Sequence, residues 1–359
     1  MSRLFSSNQR QLLEPKESGK MKTLPVILVG FGPVGRAFAE LLAEKMAELK
    51  EKYGLSLRLE AILRRSSALL LEEKVESLDK RALVNKINDP SSWSRRPSLD
   101  SLLQQGIPGV LVEVTTSDLK TGQPGYDHIK KALTSGWHVV TANKGPLVVS
   151  FSELHNLAKE NNLRLKFSGA TAAALPALDV GLVSLAGTEI RRVEGILNGT
   201  SNYLLTRMAE GASYSEALKE AQEKGIAEKN PAYDVEGWDT AVKLALLSAA
   251  FFGVCLQLEE MEVVGINQLT PEELRMAKQK GLKFKLIGSL WKQKESIKAK
   301  VRPELLNPSH ALFFVDGTNK GISFVTDSMG TITLMGGQSD PRGAAAALLK
   351  DIINIYHHF

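Results

Sequence analysis

Cysteine is almost missing from the chain of 359 residues, which contains one, Cys255. One cysteine cannot form a disulfide within the chain, and such usage is typical of a protein of the reducing cytoplasm, where we expect this one to be. Cys255 lies in a predicted apolar helix. The sequence therefore favours a core-filling role for its thiol over a nucleophilic one.

Long apolar runs are also missing. No segment reaches the about 18 apolar residues that a membrane-spanning helix needs, and residues 1–20 lack the apolar centre of a signal peptide. We therefore expect no membrane partner and a loosely ordered tail over residues 1–21. The six histidines are scattered, and no pair has metal-ligand spacing except the terminal His357 and His358, so no metal site is predicted.

Charge of one sign does not dominate any stretch of the chain. The formal net charge is +5 and the pI is about 9.0, with basic residues scattered among acidic ones. A nucleic-acid-binding protein usually concentrates its basic residues on one face. We therefore expect a small-molecule substrate and no nucleic-acid partner.

A glycine-rich turn, GFGPVG, is the clearest local motif. It follows an apolar strand predicted over residues 25–29, opens a long helix that ends near Gly54, and precedes a second strand over 57–63. Glycines there let backbone N–H groups approach a pyrophosphate at the helix N-terminus. A glycine turn without a ligand is the alternative, but the context favours dinucleotide binding. The candidate cofactor-binding residues of this turn are Gly30, Phe31, Gly32, Pro33, Val34 and Gly35.

The end of the second strand bears on the choice between cofactors. An acidic residue there binds the ribose 2′-OH of NAD, whereas arginine accepts the 2′-phosphate of NADP. The sequence has Arg64 and Arg65 followed by two serines, with no acid. NADP is therefore preferred and NAD remains possible, the alternative being that both arginines are simply exposed at a strand end.

Polar residues also follow two later strands. The strand predicted over 109–114 is followed by Thr115 and Thr116, and the strand over 137–140 leads to Lys144. Carboxyl ends of neighbouring parallel strands line the ligand crevice, so all three become candidate cofactor-binding residues. Strands alternating with helices, one of them predicted over roughly 68–87, indicate an α/β fold with a Rossmann-type doubly wound parallel sheet over residues 22–168.

The second half of the chain has a different pattern. A long helix is predicted over 171–186, and five consecutive short strands, including one over 311–316, predict an antiparallel meander. We expect an α+β substrate and dimerisation domain with an antiparallel or mixed sheet over residues 169–335. The last helix, within 336–359, is expected to pack back on the first domain and complete it.

The stretch 221–243 combines acids with one lysine. Glu228 and Asp234 lie in a predicted loop, Asp239 opens an apolar helix where its carboxylate could cap backbone N–H groups, and Lys243 lies one turn further on. An Asp–Lys pair at this spacing is usually solvated. The apolar helix favours burial instead, and a buried lysine requires a role. If Lys144 and Lys243 converge, mutual repulsion should lower the pKa of at least one of them towards the range useful for proton transfer.

Several spaced motifs between about residues 24 and 356 resemble homoserine dehydrogenase. They are GFGPVG, TANK ending in Lys144, ILNGTSNYLL, the pattern of 221–243, and FKLIGS followed by VDGTNKGISF. The resemblance implies NAD(P)-dependent interconversion of L-homoserine and L-aspartate 4-semialdehyde in threonine, methionine and isoleucine biosynthesis, by a homodimer. A related amino-acid or semialdehyde dehydrogenase is the nearest alternative. A silent dinucleotide sensor is disfavoured because both lysines and Asp239 are present, and an oligomerisation role would complement catalysis.

The resemblance also implies roles for individual residues. Lys243 exchanges the proton with the substrate oxygen, Lys144 assists, and Asp239 orients the hydroxyl and Lys243. Thr115 lies against the nicotinamide. The substrate-binding candidates are Glu228, for the ammonium group, and Asp234, Gly199 and Thr200.

Three features depart from the pattern of that family. Ser168 stands where many members have a glutamate that supports a monovalent cation, which argues against such a cation here. The glycine-rich turn before the last helix, containing the candidate cofactor residue Gly337, reads GGQSDP and could alter closure over the nicotinamide. The chain ends at Phe359, so we expect a monofunctional enzyme without a regulatory domain.

Overall fold

The computed structural model describes residues 22–71, 80–104, 107–337 and 339–357. The predicted tail over residues 1–21 lies outside these ranges, and so does His358. Two sheets, each with its own set of helices, make up the described chain.

The first sheet has seven strands, in the order β4-β3-β2-β1-β5-β6-β7. The pairings from β2 through β1, β5, β6 and β7 are parallel, whereas β3 and β4 are antiparallel additions at one edge. Its central strands are apolar because both faces are covered by helices. The strands are β1 (Lys22–Val29), β2 (Leu55–Leu63), β3 (Ser67–Leu70), β4 (Ser94–Arg95), β5 (Val110–Glu113), β6 (His138–Thr141) and β7 (Leu165–Lys166).

Five helices connect these strands. One face of the sheet packs on α1 and α2, the other on α3, α4 and α5. The helix predicted over 68–87 is wrong in its first part, because residues 67–70 pair with the end of β2 as an edge strand. The helices are α1 (Pro33–Tyr53), α2 (Lys80–Asn88), α3 (Leu99–Leu103), α4 (Gly125–Thr134) and α5 (Lys144–Glu160).

The second sheet has six strands, in the order β13-β12-β8-β10-β11-β9. It is mixed, because β9 pairs parallel to β11 while the other pairings are antiparallel. The simple meander is therefore wrong, since β8 inserts between β12 and β10. The strands are β8 (Ile190–Ile196), β9 (Glu262–Val263), β10 (Lys283–Gln293), β11 (Ser296–Leu306), β12 (Lys320–Thr326) and β13 (Thr331–Gly336).

Residues 311–316 do not form the predicted strand. They follow a chain of turns, and Leu312, Phe313 and Val315 fill a small core with Ile196 and Ile287 of the sheet. Their apolar side chains are buried by packing across the sheet face, which gives them the composition of a strand without its pairing.

Helices cover one face of this second sheet. Gly288 of β10 lies so close to α10 that a Cβ there would be 2.8 Å from the Thr240 side chain, and Phe324 of β12 packs edge-on against Phe251 of the same helix. The helices of this part, apart from a short one before β8, are α7 (Gly199–Ala209), α8 (Tyr214–Glu223), α9 (Ala232–Val235), α10 (Trp238–Phe252) and α11 (Pro271–Gln279). Cys255 lies beyond the end of α10 and is exposed, so its predicted place in an apolar helix and its predicted core-filling role are wrong.

The continuous helix predicted over 171–186 is wrong. A 3₁₀ turn at Ser168–Ala170 leads into turns, then α6 (Ala177–Asp179) and a π-helical segment at Val180–Ser184. Pro176 lacks the N–H that a helix interior needs, and Ala173 has a φ of +52°. Residues 170–175 therefore form a loop at the carboxyl end of the first sheet.

The last helix, α12 (Pro341–Tyr356), returns to the first sheet. Leu348 and Ile352 are fully buried in the cluster that contains Phe38 and Leu42 of α1. Arg342 pairs with Glu44 of the same helix α1. None of the helices in the described ranges combines the length and apolar character that crossing a bilayer requires.

Candidate active site

The glycine turn is tightly packed on one side and open on the other. Gly30 has a φ of +101°, and a Cβ there would lie 2.5 Å from the backbone of Val114. A Cβ on Gly35 would lie 2.2 Å from the Gly30 carbonyl oxygen. Gly32 is exposed with no atom within 4 Å of its Cβ position, and Pro33 begins α1. The turn therefore offers its open side to a ligand at a helix N-terminus, as a pyrophosphate requires.

Aromatic rings and arginines lie beside this turn. The Arg64 guanidinium is 3.5 Å from the centroid of the Trp93 ring and 5.1 Å from that of Phe31. Arg36 approaches Phe31 from α1 at 5.4 Å. Burial and the charge of Arg36 lower the pKa of Arg64. Arg65 is exposed. Nothing in the sequence around Trp93 pointed to this contact, which brings together residues separated by about thirty positions.

Thr115 belongs to a hydrogen-bonded network at the end of β5. Its hydroxyl donates to the buried carboxylate of Glu113 and accepts from the Asn143 amide at 3.2 Å. Asn143 also caps α5 by accepting from the N–H of Gly145. Thr116 is exposed beside this network. The two threonines therefore lie at the carboxyl end of the sheet, next to Lys144, the first residue of α5.

The carboxylate of Asp239 joins two lysines from different parts of the chain. Lys144 Nζ donates to one of its oxygens at 2.7 Å, and Lys243 Nζ donates to the other at 2.6 Å. Lys243 also donates to the Leu197 carbonyl at 2.8 Å. The side chain of Asp239 is 7% exposed, and those of Lys144 and Lys243 are 24% and 12% exposed. The two predicted lysines thus converge in one partly open cleft between the sheets.

Asp239 does not cap its helix. Gly237, with a φ of +90°, is the N-cap of α10, and the helix begins at Trp238, so Asp239 lies inside the first turn. Its carboxylate instead accepts from the lysines and from the Asn198 amide at 2.8 Å. The carboxylate of Asp239 therefore points into the cleft and does not bond the N–H groups at the start of its own helix.

The predicted lowering of a lysine pKa is wrong for Lys144. Burial lowers the pKa of Lys144, but the charge and hydrogen bond of Asp239, aided by Asp234 and Glu228, outweigh it and raise the pKa above its usual value. Burial alone would raise the pKa of Asp239, because it disfavours the charged carboxylate, yet Lys243 and Lys144 together hold this pKa well below the usual range. The carboxylate between the two ammonium groups reverses the repulsion expected from the lysines alone.

Asn198 links the two aspartates of the cleft. Its amide donates to Asp234 at 2.7 Å as well as to Asp239, while its carbonyl oxygen caps α7 at the N–H of Ser201. Burial and the charge of Asp239 raise the pKa of Asp234. Asn198 was not among the predicted site residues, although an asparagine before Gly-Thr-Ser is a helix-capping signal.

The other predicted substrate residues surround this cluster. Glu228 is exposed at the mouth of the cleft, and its charge reaches Lys144. Thr200 is buried, and its hydroxyl donates to the Ile226 carbonyl at 3.0 Å. Gly199 is close-packed, since a Cβ there would lie 2.8 Å from the Thr318 carbonyl. Glu228 and Asp234 therefore leave carboxylates near the two lysines, whereas Thr200 is already engaged.

Comparisons with known proteins agree with this geometry. The family model "Homoserine dehydrogenase, NAD binding domain" matches residues 30–168, and "Homoserine dehydrogenase" matches residues 176–353. A homoserine dehydrogenase of Methanocaldococcus jannaschii is 36% identical, with 93% of this chain and 99% of that protein covered. The chain belongs to the homoserine dehydrogenase family.

Two further similarities extend the comparison. An NAD(+)-dependent homoserine dehydrogenase of Pseudomonas canavaninivorans is 32% identical over 94% of this chain and 97% of that protein. The crystal structure of a putative homoserine dehydrogenase of Archaeoglobus fulgidus matches with a TM-score of 0.82 at 34% identity, covering 93% of this chain and 99% of the other. As a member of this family, the chain is a nicotinamide-dependent oxidoreductase, and the open glycine turn fits such a cofactor.

At Ser168, where many homoserine dehydrogenases have glutamate, the structure has an internal ion-pair cluster. The Ser168 N–H and hydroxyl donate to the Asp351 carboxylate at 2.9 and 2.7 Å, and the hydroxyl accepts from Lys350 at 2.9 Å. The Ser168 carbonyl accepts from Thr171 and Ala173. These oxygens are already satisfied by protein donors. Within the described ranges, no group of three or more His, Cys, Asp and Glu residues is arranged to hold a metal ion.

A third lysine, Lys320, lies at the edge of the same cleft. It is 4% exposed, and burial together with the charge of Lys243 lowers its pKa to about 7. Beside it, Gly337 packs closely on the loop over 170–175, since a Cβ there would lie 2.8 Å from the Leu175 nitrogen. Sequence analysis missed Lys320 as a site residue, because a lysine opening a strand is usually exposed.

Proposed function

We propose that the chain interconverts L-homoserine and L-aspartate 4-semialdehyde, with Lys243 as the acid/base at the substrate oxygen and Lys144 as its partner. The observation that carries this proposal is the Asp239 carboxylate shared by both ammonium groups. Sharing keeps two buried amines side by side in one cleft, at a distance at which both can reach one oxygen. A positioned amine can then exchange the proton that alcohol oxidation releases.

The roles of the remaining cluster follow from charge. The bound nicotinamide cofactor accepts or supplies the hydride. Asp239 orients Lys243 and the substrate hydroxyl. Asn198 donates to both Asp239 and Asp234 and so fixes the two carboxylates relative to each other. Glu228 and Asp234 supply negative charge for the substrate ammonium group. Gly199 and Thr200, at the start of α7, form the wall against which the substrate lies.

For the cofactor, we propose that NADP is preferred over NAD, which remains a possible second cofactor. The support is Arg64 on the Trp93 ring at the end of β2, with Arg36 and Arg65 nearby and no acid between residues 63 and 67. The pyrophosphate would bind the glycine turn at residues 30–35. Thr115, Thr116, Lys144 and Gly337 would line the nicotinamide end.

A homodimer is proposed through the face of the second sheet that the helices leave open. Residues alternate along each strand, so the face opposite Gly288 and Phe324 carries side chains such as Trp291, Val325 and Met335. Met335 is 56% exposed, and Phe314, beside this face, is 67% exposed. Exposed apolar side chains on an uncovered sheet face favour a partner. Phe314→Asp should then reduce the mass measured by light scattering to that of one chain.

The two sheets divide the chain into two domains. We propose a cofactor domain over residues 22–168 completed by 336–359, and a catalytic and dimerisation domain over 169–335, since the strands of the two sheets separate along this division. No monovalent cation is required, because Ser168 is engaged by Asp351 and Lys350. The enzyme acts in the cytoplasm, in the biosynthesis of threonine, methionine and isoleucine.

A spectrophotometric assay tests the proposal. The purified chain is offered homoserine with NADP and separately with NAD, beside Lys243→Ala and a control variant of an exposed helix surface, Lys219→Ala. We expect absorbance of the reduced nicotinamide with the parent and with Lys219→Ala, and a loss of at least about a hundredfold with Lys243→Ala. No reduction with either cofactor would refute the activity. Arg64→Ala should lower the preference for NADP over NAD, and an unaltered preference would refute the role of Arg64.

A further inference from the structure

Lys320 differs from the other buried lysines in having no acidic partner. Among the described residues, its ammonium donates only to the carbonyl of Ala172, at a long 3.4 Å, and no carboxylate lies within 4.0 Å of it. Lys285 of β10, which is separated from β12 by β8, is 1% exposed and instead donates to Asp316 at 2.8 Å and to Asn202 at 3.0 Å. A buried ammonium without a counter-charge is costly, so an anion that binds in the cleft would stabilise the charged form of Lys320.

The surroundings of Lys320 hold it in place at the cleft. It is the first residue of β12 and pairs with Gly336 of β13. The Asn202 amide donates to the Asn319 and Val315 carbonyls at 3.1 Å each, which fixes the turn that leads into Lys320. The loop over 170–175, which contains its acceptor Ala172, closes over its other side. The side chain is therefore confined between the second sheet and the carboxyl end of the first.

The charges that Lys320 faces come from three helices of the cleft. They are Lys243 and Asp239 of α10, Lys144 of α5, and Asp340 at the start of α12. Asp239 is already engaged by Lys144 and Lys243. Of the ammonium groups of Lys144, Lys243 and Lys320, that of Lys320 is the one with no carboxylate partner among the described residues, and it can therefore accept an anion in the cleft.

We propose that Lys320 binds the α-carboxylate of the substrate, an inference that rests on the proposed homoserine activity. The zwitterionic substrate has three polar groups. Its hydroxyl meets Lys243, Lys144 and Asp239, and its ammonium meets the acids Glu228 and Asp234. Its carboxylate needs a cation on the remaining side, and Lys320 supplies one. Binding would also remove the cost of burying this ammonium, since the carboxylate becomes its missing partner.

Lys320→Met tests this assignment by kinetics with two ligands. Homoserine carries the carboxylate, and 3-amino-1-propanol is the same amino alcohol without it. We expect the KM for homoserine to rise about 10- to 100-fold, because a charge-assisted hydrogen bond is lost. The inhibition constant of 3-amino-1-propanol, measured against homoserine, should stay within twofold. Lys320→Arg should recover part of the loss, and Lys300→Met, a control at a partly buried lysine of β11 that pairs with Glu304, should leave the KM for homoserine unchanged.

The outcomes separate this inference from the function on which it rests. A parent enzyme that does not oxidise homoserine refutes the proposed function and the inference together. An active parent with an unchanged KM in Lys320→Met refutes the inference alone. So does an equal weakening of both ligands. The dissociation constant of NADPH, from the fluorescence of its reduced nicotinamide, should be the same in parent and variant. A tenfold weaker binding of NADPH with an unchanged KM for homoserine would assign Lys320 to a cofactor phosphate instead.

Discussion

Two buried aspartates, Asp239 and Asp351, join elements of the two halves of the molecule through lysines, with opposite electrostatic results. Asp239 accepts from two ammonium groups and the Asn198 amide, and these donors hold its pKa well below the usual range. Asp351 accepts mainly from Ser168, with Lys350 at 3.1 Å, and burial raises its pKa. The number of neighbouring cations, more than burial itself, decides the direction in which the pKa of a buried carboxylate shifts.

The surroundings of the two clusters differ as well. The Asp239 cluster opens to the cleft through Lys144, whose side chain is 24% exposed. The Asp351 cluster uses its donors within the protein, because Lys350, whose side chain is 30% exposed, also pairs with Asp179 of α6, and Asn354 donates to the Asp179 carboxylate at 3.0 Å. The Asp351 cluster connects α12 to the 3₁₀ turn that begins at Ser168. Both donors of Ser168, its N–H and its hydroxyl, are used within the cluster, so neither is left for a ligand. In the proposed mechanism, similar side chains therefore serve chemistry in one place and attach the last helix in the other.

Asp239→Asn should produce the largest effect. Without the charge between them, Lys144 and Lys243 repel each other and burial lowers the pKa of Lys144. We expect kcat for homoserine to fall by about 10²- to 10⁴-fold, measured by nicotinamide absorbance at a temperature where circular dichroism shows the variant folded. If kcat per folded molecule stayed within threefold of the parent, the contrast between the two aspartates would fail.

Asp351→Ala should instead reduce stability. Removing one partner of a buried ionic network leaves the others without compensation, which costs about 3 kcal/mol of the free energy of unfolding. We expect a lower denaturant midpoint in urea, with kcat and KM of the folded fraction within about twofold of the parent. A loss of kcat comparable to that of Asp239→Asn, in a protein that remains folded, would show that the two clusters are not separate.

Local patterns predicted much of this arrangement. The glycine turn, the strand ends at Thr115 and Lys144, and the Asp239–Lys243 spacing each depend on a few neighbouring residues and were found from sequence. Trp93 and Lys320 were not, because their environment comes from segments distant in the chain. The helix predicted over 171–186 was wrong because its apolar composition was given more weight than Pro176, which interrupts a helix. The strand predicted over 311–316 was wrong because these residues have the composition of a strand but pack on the second sheet as turns.

Lys320→Met extends the comparison to a buried lysine with no carboxylate partner. The ordinary lysine pKa of 10.5 applies to the unfolded chain, and the folded value is about 7. Between these values the unfolded chain binds a proton that the folded protein does not, so the contribution of Lys320 to stability rises with pH across this window.

The variant lacks this contribution and should therefore gain most over the parent below pH 7, with the gain vanishing towards pH 10.5. Urea unfolding of ligand-free parent and variant between pH 6 and 9.5 measures the difference, which also contains any change in Lys243, Asp239, Lys144 and Asp340. A difference independent of pH would mean that Lys320 is paired in the folded protein.

Ser168→Ala should have the smallest effect on stability, and it tests whether the Asp351 cluster is separate from the active site. The hydroxyl donates to Asp351 and accepts from Lys350, while the backbone N–H of residue 168 continues to donate in the variant. Loss of the hydroxyl should therefore cost only about 1 kcal/mol in urea unfolding. Because Lys350 already supplies the positive charge beside Ser168, parent and variant should show the same kcat in sodium, potassium and tetramethylammonium chloride. Activation of the parent by sodium or potassium alone would mean that a cation competes with Lys350 for Ser168, and the Asp351 cluster would then belong to the active site.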